Sequence, residues 1–309
     1  MSNTHHQLII LGGGPAGLTA GLYAARDRLQ VMLVEKGVVG GQVLVTDWID
    51  NYPGFPEGLS GFDLIEKMAV QAKRFELETK NANVVKVELT EAKKKLILES
   101  GEELTCQTLI ICTGARPNKL GIPGEEELTG NGVSFCATCD GPFFRDQEIL
   151  VVGGGDTAIQ EADFLTKFAS KVTVIHRRDE LRATKVLQEK AFANERVEFI
   201  WNSNVVAIEG EKEVERVRIR NNNGEEREIA ASGIFILIGT IPNSEILPLE
   251  QLGADEFGFV ITDDEMRTRV PGVMAAGDIR SKRVRQVINA AGEGAVAAIA
   301  AEYYLNDWD

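Results

Sequence analysis

The chain has 309 residues, enough for two compact domains, and 44% of them are hydrophobic, as in ordinary globular proteins. Its formal net charge of −14 argues against a nucleic-acid-binding protein, because phosphate contacts need a basic surface. No segment is apolar for long enough to span a bilayer, and the polar stretch 1–7 has no signal-peptide character. We therefore expect a cytoplasmic protein whose first residues, including His5 and His6, are solvated.

The first predicted strand, residues 8–11, is a continuous apolar run that leads into a glycine-rich turn. The turn reads GGGPAG from Gly12 to Gly17, a helix-forming stretch follows, and a second apolar strand ends in Glu35. Strand, GxGxxG turn, helix, strand and acid form the complete dinucleotide-binding fingerprint. Backbone N–H groups at the helix N-terminus would approach a pyrophosphate, and Glu35 would accept hydrogen bonds from a ribose.

A predicted hairpin follows, with strands at 84–89 and 95–98, and we expect the lysine run 93–95 to be its solvated turn. A buried strand then begins at Thr108 and runs into a Pro-Asn turn at 117–118. The segment 233–243 repeats this pattern of strand and Pro-Asn turn. Each copy would end one nucleotide-binding domain and start a crossover to the other.

The stretch CATCDG contains Cys136, Cys139 and Asp140. A dithiol followed by a carboxylate is suited to exchanging two electrons and protons, and in a reducing compartment a CxxC pair is usually redox-active or metal-binding. Zinc would need a second pair of ligands, but Cys106 and Cys112 lie in an apolar run suited to a buried strand. The redox interpretation is therefore favoured over a zinc site.

A second fingerprint begins at the apolar run 149–152 and continues with GGGDTA from Gly153 to Ala158. At the position where the first fingerprint has Glu35, the second is basic. The basic residues are His176, Arg177, Arg178 and Arg182. Guanidinium groups can bind the 2′-phosphate of NADP, whereas an acid would repel it. A solvated basic turn is the alternative interpretation.

The duplicated fingerprint predicts an α/β fold with two Rossmann-like, three-layer ββα dinucleotide-binding domains, the second inserted into the first. The expected boundaries are 1–119 plus 247–309 for the first, discontinuous domain and 120–246 for the inserted domain, which carries the CxxC pair. The first site should hold a flavin, because a flavin is the usual adaptor between a nicotinamide hydride and a dithiol. Asp278, at the end of an apolar strand, is well placed to contact a ribityl hydroxyl.

These motifs together make the chain resemble the bacterial low-molecular-weight, NADPH-dependent thioredoxin reductases, which are class II pyridine nucleotide-disulphide oxidoreductases. The resemblance covers essentially the whole chain, and CATCDG between the two fingerprints is its most specific part. It implies FAD and NADPH as cofactors, thioredoxin as partner and a homodimer. The residues implied for FAD are Gly12, Gly14, Pro15, Ala16, Gly17, Glu35, Lys36, Gly41, Gln42, Asn51, Thr113, Gly114, Gly277, Asp278, Arg285, Gln286 and Val287. Those implied for NADPH are Gly155, Asp156, Thr157, Ala158, His176, Arg177, Arg178 and Arg182.

By the same resemblance, Cys139 faces the flavin and Cys136 attacks the thioredoxin disulfide as a thiolate. Asp140 would act as general acid and base, although an Asp-Gly turn is its alternative role. The dithiol and the nicotinamide site share the inserted domain but must both reach one flavin. We therefore expect this domain to rotate about linkers near 120–123 and 241–244.

Two residues depart from the pattern of the resembled family. Pro142 stands where many members have Phe, and Val287 replaces a more usual Ala near the flavin. The alternative function is a flavin-dependent reductase or oxidase of another disulfide or dithiol, and a non-enzymatic redox sensor is a third possibility. Ferredoxin–NADP reductases of similar fold lack the CxxC, ferredoxin-dependent relatives lack the HRRxxxR pattern, and this chain has both.

Overall fold

The structure, a computed structural model, describes residues 5–46, 48–49, 51–90 and 93–306. It divides into two compact units: an outer unit of residues 1–116 and 241–309, and an inserted unit of residues 117–240. The strands are β1 (His5–Leu11), β2 (Val31–Glu35), β3 (Glu78–Asn81), β4 (Val84–Leu89), β5 (Lys94–Leu98), β6 (Glu103–Ile111), β7 (Ala115–Pro117), β8 (Val133–Ser134), β9 (Glu148–Val152), β10 (Lys171–Ile175), β11 (Val197–Ile200), β12 (Ser203–Glu209), β13 (Arg216–Asn221), β14 (Glu226–Ala230), β15 (Gly233–Ile236), β16 (Thr240–Pro242) and β17 (Val273–Ala275). The helices are α1 (Pro15–Arg26), α2 (Gly61–Lys73), α3 (Ala137–Asp140), α4 (Asp156–Leu165), α5 (Lys185–Ala193), α6 (Leu249–Leu252) and α7 (Val287–Leu305), with 3₁₀ turns at Gly41–Val45 and Gly141–Phe144.

The main sheet of the outer unit has the order β3-β2-β1-β6-β5-β4, and β17 pairs with β6. Strands β3, β2, β1, β6 and β17 are parallel, and Leu11 lies in register with Val34 on one side and Ile111 on the other. The continuous apolar sequence of β1 is explained by burial on both faces, since Leu8, Ile9 and Ile10 are fully buried. The carboxyl ends of β2, β1, β6 and β17 consequently lie along one edge of the sheet.

Helix α1 packs closely against helix α7 beside this edge. Pro15 occupies the first turn of α1, where its fixed φ suits a helix and its missing N–H costs no hydrogen bond. A Cβ atom at Gly294 of α7 would collide with the carbonyl oxygen of Ala16, so only glycine permits this approach. The contact joins the helix that follows the first glycine-rich turn to the last helix of the chain.

The inserted unit contains a second parallel sheet, of order β11-β10-β9-β15-β8, and an antiparallel sheet of β12, β13 and β14. Val152 at the end of β9 lies in register with Ile175 on one side and Ile236 on the other. Helix α4 follows β9, as α1 follows β1. The predicted α/β fold class, with two Rossmann-like domains, is confirmed.

The predicted hairpin is also confirmed as β4 and β5, with Leu89 opposite Lys94. The expectation that its lysine run is solvated was wrong for Lys94, which is 1% exposed. Lys94 opens β5 on the same face as Leu96 and Leu98, and its ammonium group lies 5.3 Å from the centre of the Tyr304 ring. Burial lowers the pKa of Lys94. Strand alternation, not charge, decides which face this lysine occupies.

The expectation of a solvated N-terminal stretch was wrong for His6. Strand β1 begins at His5, and His6 is buried opposite Cys106 of β6. His5 Nδ1 lies 3.0 Å from Thr105 Oγ1. Within the described part of the chain, no helix is long and apolar enough to cross a membrane.

Candidate active site

The first glycine-rich turn, Gly12 to Gly17, is shaped by close backbone contacts. A Cβ atom at Gly12, whose φ is +108°, would collide with the Cys112 carbonyl, and one at Gly17 would collide with the Gly12 carbonyl. Gly14, by contrast, has no heavy atom within 4 Å of its Cβ position. The first intrahelical hydrogen bond is donated by Leu18 N–H, so the N–H groups of Ala16 and Gly17 point out of the helix N-terminus. The turn leaves room and donors for a pyrophosphate.

Glu35, at the end of β2, lies directly beside this turn. Gly13 N–H donates to Glu35 Oε2 at 2.7 Å, and Gly37 N–H donates to Oε1 at 3.1 Å. These bonds fix the carboxylate, and each of its oxygens can still accept another donor. Glu35 can therefore accept ribose hydroxyls, while the neighbouring Lys36 is exposed.

Thr113 Oγ1 and Arg285 Nε are buried polar atoms of the outer unit that find no hydrogen-bond partner among the described residues. Thr113 follows β6 and Asp278 follows β17, so both belong to the sheet edge that carries the first turn. Asp278 Oδ1 lies 3.3 Å from Lys282 Nζ, yet burial raises the pKa of this carboxyl. Buried polar atoms without partners indicate that a polar group binds here.

Loop residues complete the same edge. Asn51 Nδ2 donates to Gln286 Oε1 at 3.1 Å, and Gln286 precedes Val287, the first residue of α7. Gln42 Nε2 donates to the Ala115 carbonyl at 2.6 Å. Three glycines in positive-φ conformations supply turns that other residues rarely adopt. They are Gly41 (+59°), Gly114 (+70°) and Gly277 (+81°).

The second glycine-rich turn, in the inserted unit, repeats this construction. A Cβ atom at Gly153, whose φ is +153°, would lie 2.5 Å from the Leu237 carbonyl oxygen and from Cβ of the buried Ala158. Gly155 is open, with nothing within 4 Å, and precedes α4, in whose first turn Asp156 and the exposed Thr157 lie. This turn also has the space and the donors for a dinucleotide pyrophosphate.

The basic loop after β10 folds back onto this turn. Arg182 N–H donates to the Gly154 carbonyl at 2.8 Å, and Thr184 N–H donates to Asp156 Oδ1 at 2.7 Å. A Cβ atom at Gly154 would collide with the His176 ring, which is buried. Burial lowers the pKa of His176, and the charges of Arg177 and Arg182 lower it further. The imidazole is therefore neutral near pH 7.

The arginine side chains of this loop are exposed and unpaired. Arg177, Arg178 and Arg182 have no ion pair or side-chain hydrogen bond within the described ranges. Beside them, Phe199 and Trp201 are stacked at 5.0 Å, and Trp201 meets the His176 ring edge-on at 6.4 Å. A cluster of unpaired guanidinium groups next to a glycine-rich turn is suited to binding a phosphate monoester of a dinucleotide.

Cys136 and Cys139 are joined by a disulfide, with an S–S distance of 2.08 Å. Cys136 is the N-cap of the short helix α3, and both cysteines are half-buried. The remaining thiols, Cys106 and Cys112, are buried in the outer unit. Burial raises the pKa of Cys106 to about 12 and that of Cys112 as well, so neither thiol is reactive near neutral pH.

Two polar residues missed by the sequence analysis hold the disulfide segment. Ser134 Oγ donates to Asp140 Oδ2 at 2.5 Å and accepts the N–H of Cys136 at 3.1 Å. Glu161 of α4 accepts the N–H of Ala137 through Oε2 at 3.4 Å, and burial raises the pKa of Glu161. The only sequence signal for Ser134 is its place two residues before Cys136. Glu161 has none beyond its place in a helix.

The loop after the disulfide contains the departure from the resembled family. Pro142 and Phe143 lie in a 3₁₀ turn, and Phe143 is 47% exposed. Phe144 instead packs edge-on against the buried Phe235. This arrangement presents one aromatic side chain to solvent beside the disulfide segment.

Known proteins resemble the chain over nearly its whole length. A model of the pyridine nucleotide-disulphide oxidoreductase family matches residues 6–294. A thioredoxin reductase of Peptoclostridium acidaminophilum is 48% identical over 307 residues, covering 97% of each chain. That of Bacillus subtilis strain 168 is 44% identical over 306 residues, which cover 98% of this chain and 95% of the relative. The crystal structure of thioredoxin reductase from Streptococcus pyogenes is 46% identical and superimposes with a TM-score of 0.95, covering 99% and 100% of the two chains.

Proposed function

The chain belongs to the pyridine nucleotide-disulphide oxidoreductase family, and from this membership we propose that it is an NADPH-dependent thioredoxin reductase containing FAD. Membership of this family implies that the chain uses a flavin and a pyridine nucleotide. The observation that carries the proposal is that one chain combines the Cys136–Cys139 disulfide with two separate glycine-rich turns, each with room for a dinucleotide pyrophosphate. A dithiol of this kind can exchange electrons with another disulfide.

The outer unit supplies the FAD site. Its open Gly14, the ribose acceptor Glu35 and the unpartnered hydroxyl of Thr113 fit a flavin dinucleotide, and so does the carboxylate of Asp278. A flavin bound there supplies the two-electron step between a nicotinamide and a disulfide. Asp278 would accept a ribityl hydroxyl, and that donor would compensate its burial. The other residues that would hold the group are Gly12, Pro15, Ala16, Gly17, Lys36, Gly41, Gln42, Asn51, Gly114, Gly277, Arg285, Gln286 and Val287.

The inserted unit supplies the NADPH site. The N-terminus of α4, with Gly155, Asp156, Thr157 and Ala158, would hold the pyrophosphate. The exposed side chains of Arg177, Arg178 and Arg182 would bind the 2′-phosphate, and the neutral His176 would line the same cradle. NADH lacks this phosphate, so the arginines would discriminate between the two nucleotides.

The reduced dithiol would pass its electrons to thioredoxin by two exchanges. The Cys136 thiolate attacks one sulfur of the thioredoxin disulfide, which forms a mixed disulfide and releases one thioredoxin thiolate. The Cys139 thiolate then attacks Cys136 Sγ, which re-forms the Cys136–Cys139 disulfide and releases the second thioredoxin thiolate. Asp140 would accept the proton of the thiol that becomes a nucleophile and return it to a departing thiolate. Two electrons leave the enzyme, and thioredoxin becomes a dithiol.

The division of the chain sets a condition on this cycle. The disulfide and the second dinucleotide turn both belong to the inserted unit, and each has to reach the flavin site of the outer unit. We propose that the inserted unit rotates between half-reactions about the connections near 120–123 and 241–244. A cross-link that fixes one orientation of the units should abolish turnover, and full activity of the cross-linked enzyme would contradict this proposal.

The resemblance further implies a homodimer, which analytical ultracentrifugation would test. A dithiol that must be reduced in every cycle suits the reducing cytoplasm. We therefore propose that the enzyme works there on a cytoplasmic thioredoxin.

The decisive experiment is an anaerobic titration of the FAD-loaded protein, first with NADH and then with NADPH, followed by flavin absorbance. Near-stoichiometric bleaching by NADPH, with a weak response to NADH, is expected. Oxidised thioredoxin should then restore the colour. A flavin that stays oxidised with both nucleotides would contradict NADPH dependence. Bleaching that thioredoxin does not reverse would point to another disulfide as the substrate.

A further inference from the structure

A lysine of the outer unit, Lys282, lies between two carboxylates in the segment that joins β17 to α7. Its side chain is 11% exposed. Its ammonium nitrogen lies 3.3 Å from Asp278 Oδ1 and 3.2 Å from each carboxylate oxygen of Glu293. The ammonium group therefore joins the carboxylate that would accept a ribityl hydroxyl to a carboxylate of helix α7.

Glu293 is itself held in place by other groups. Its Oε2 accepts Gly277 N–H at 2.8 Å, and its Oε1 lies 2.9 Å from Arg280 Nη1. Arg280 Nε in turn donates to Thr262 Oγ1 at 2.7 Å. A carboxylate with so little exposure requires partners of this kind, because burial of an unpaired charge is costly. The anchored Glu293 thus offers Lys282 a partner in a fixed position.

The backbone that carries Lys282 is fixed by Arg285. Arg285 Nη1 donates to the Lys282 carbonyl at 3.0 Å, and the guanidinium carbon lies 4.2 Å from the centre of the Phe259 ring. Both ends of the Lys282 side chain are therefore restrained, the backbone by Arg285 and the ammonium group by Glu293. Ordering a lysine for a contact normally costs rotamer entropy, and here folding has already ordered it before any ligand binds.

The two carboxylate oxygens of Asp278 have different surroundings. Oδ1 is buried, yet the side chain as a whole is 37% exposed, so the accessible part of the carboxylate lies toward Oδ2. Burial raises the pKa of Asp278, and the charges of Lys282 and Arg285 lower it. The charge of Glu293 raises this pKa, so Glu293 can favour the ionised carboxylate only through Lys282. Cys112, which follows β6 and also faces Glu293, stays protonated because burial raises the pKa of its thiol.

We propose that Lys282 is a positioning residue of the flavin site: its clamped ammonium group holds Oδ1 of Asp278 and leaves Oδ2 to accept a ribityl hydroxyl. This inference rests on the proposed FAD site. Lys282 acts through Asp278 and not by its own contact with the flavin. Removing the ammonium group would leave Oδ1 buried without a cation, and the carboxylate would then turn more freely and bind a proton at a higher pH.

The test compares Lys282→Met, Asp278→Asn and the double variant as apoproteins, and it measures the Kd for FAD by flavin fluorescence, independently of turnover. Because a hydrogen bond to a charged group contributes about tenfold or more to affinity, K282M should bind FAD about tenfold more weakly. In the D278N background the same substitution should have no further effect. Lys282→Arg keeps the charge and should recover most of the lost affinity. Should K282M fail to fold, Lys282→Gln, which keeps hydrogen-bond donors but not the charge, takes its place.

The pH dependence of FAD binding separates positioning from a merely structural role. The affinity of the unsubstituted apoprotein should fall as the pH drops through the pKa of Asp278. In K282M this fall should begin at a higher pH, because the lost cation favoured the ionised carboxylate.

Lys95→Met is the matched control. Lys95 also lies between two carboxylates of the outer unit, 3.1 Å from Glu88 Oε2 and 3.2 Å from Glu103 Oε1, but it belongs to the hairpin strand β5. Its loss should leave both the Kd for FAD and its pH dependence unchanged.

Three results would overturn the inference in a protein that binds FAD. Equal weakening by K282M in both backgrounds, with an unmoved pH profile, would show a purely structural role. A K282M apoprotein that binds FAD as tightly as the unsubstituted one would show no role. Unchanged binding by D278N would remove Asp278 from the site, and Lys282 with it. An unsubstituted apoprotein that does not bind FAD would instead overturn the proposed flavin site, which is a failure distinct from these three.

Discussion

Replacing the arginines of the second dinucleotide site should abolish the preference for NADPH without harming the fold. The side chains of Arg177, Arg178 and Arg182 are exposed and make no ion pair in the part of the chain that the structure describes. Their removal therefore breaks no bond of the free protein. It also relieves the mutual repulsion of like charges, so the free energy of unfolding should stay the same or rise slightly.

The magnitude follows from the bonds that a 2′-phosphate would gain. A hydrogen bond to a charged group is worth about 1.5–3 kcal/mol, and solvent exposure favours the lower end. Since about 1.4 kcal/mol is a factor of ten, each single Arg→Ala variant should weaken NADPH binding about tenfold, and Arg177→Ala with Arg178→Ala about 100-fold. NADH binding should not change, because NADH carries no phosphate at this position. Higher salt should reduce the difference through screening.

The assay is the anaerobic reduction of the bound flavin, titrated with each nucleotide at two salt concentrations. Arg227→Ala is the matched control, since Arg227 is an exposed arginine of the inserted unit that likewise has no ion pair in the described segments. Equal weakening of NADPH and NADH would refute the reasoning, because the arginines would then contact a part common to both. Unchanged NADPH binding in all variants would show that the phosphate binds elsewhere.

Three further predictions concern the outer unit and the disulfide. Gly17→Ala forces a methyl group onto the Gly12 carbonyl, so we expect urea unfolding to show a loss of about 1–3 kcal/mol in the free energy of unfolding. The purified variant should also lose its FAD, and full retention of FAD would contradict the packing argument. Cys139→Ser should abolish thioredoxin reduction, whereas Cys106→Ser should not, because burial keeps the Cys106 thiol protonated. An inactive but folded Cys106→Ser enzyme would be evidence against Cys136–Cys139 as the sole redox pair. Burial raises the pKa of Asp278 in the folded state, so its ionisation should destabilise the flavin-free protein as pH rises past the ordinary aspartate value. Asp278→Asn should therefore bind FAD more weakly than the unsubstituted protein. At pH 7 its apoprotein should nevertheless unfold at a higher urea concentration than the unsubstituted apoprotein, whereas well below pH 4 the two should unfold at the same urea concentration. The same difference in unfolding midpoint at both pH values would refute the ionisation argument.

The sequence was informative wherever a local pattern has one structural solution. Apolar runs such as 8–11 and 149–152 predict buried parallel strands, and the first glycine after each run, Gly12 or Gly153, occupies a position where a Cβ atom would collide with a backbone carbonyl. The position of the basic cluster at 176–182 also follows from spacing alone, because the cluster begins at the position in the second fingerprint that Glu35 occupies in the first. The pairing of Cys136 with Cys139 agrees with the expected redox pair.

Contacts between distant segments could not be predicted in this way. Ser134 and Glu161 reach the disulfide segment from a strand end and from another helix, and no local pattern distinguishes them from other polar residues. Lys94 and His6 were misassigned for a related reason. Charge and proximity to the terminus predict exposure, but strand alternation and the neighbouring strand place both side chains inside the outer unit.

The discontinuous outer unit determines the order in which the nascent chain can fold. Its sheet lacks β17 and its helix layer lacks α7 until the last part of the chain, 273–305, has left the ribosome. The inserted unit, by contrast, is complete at residue 240. Because domains fold as units during synthesis, the inserted unit can fold while the outer unit still exposes the apolar faces of β1 and β6. Once the first 240 residues have left the ribosome, a folded inserted unit would thus be attached to an unfinished outer unit, and that intermediate is the one for which we expect chaperone protection to be needed.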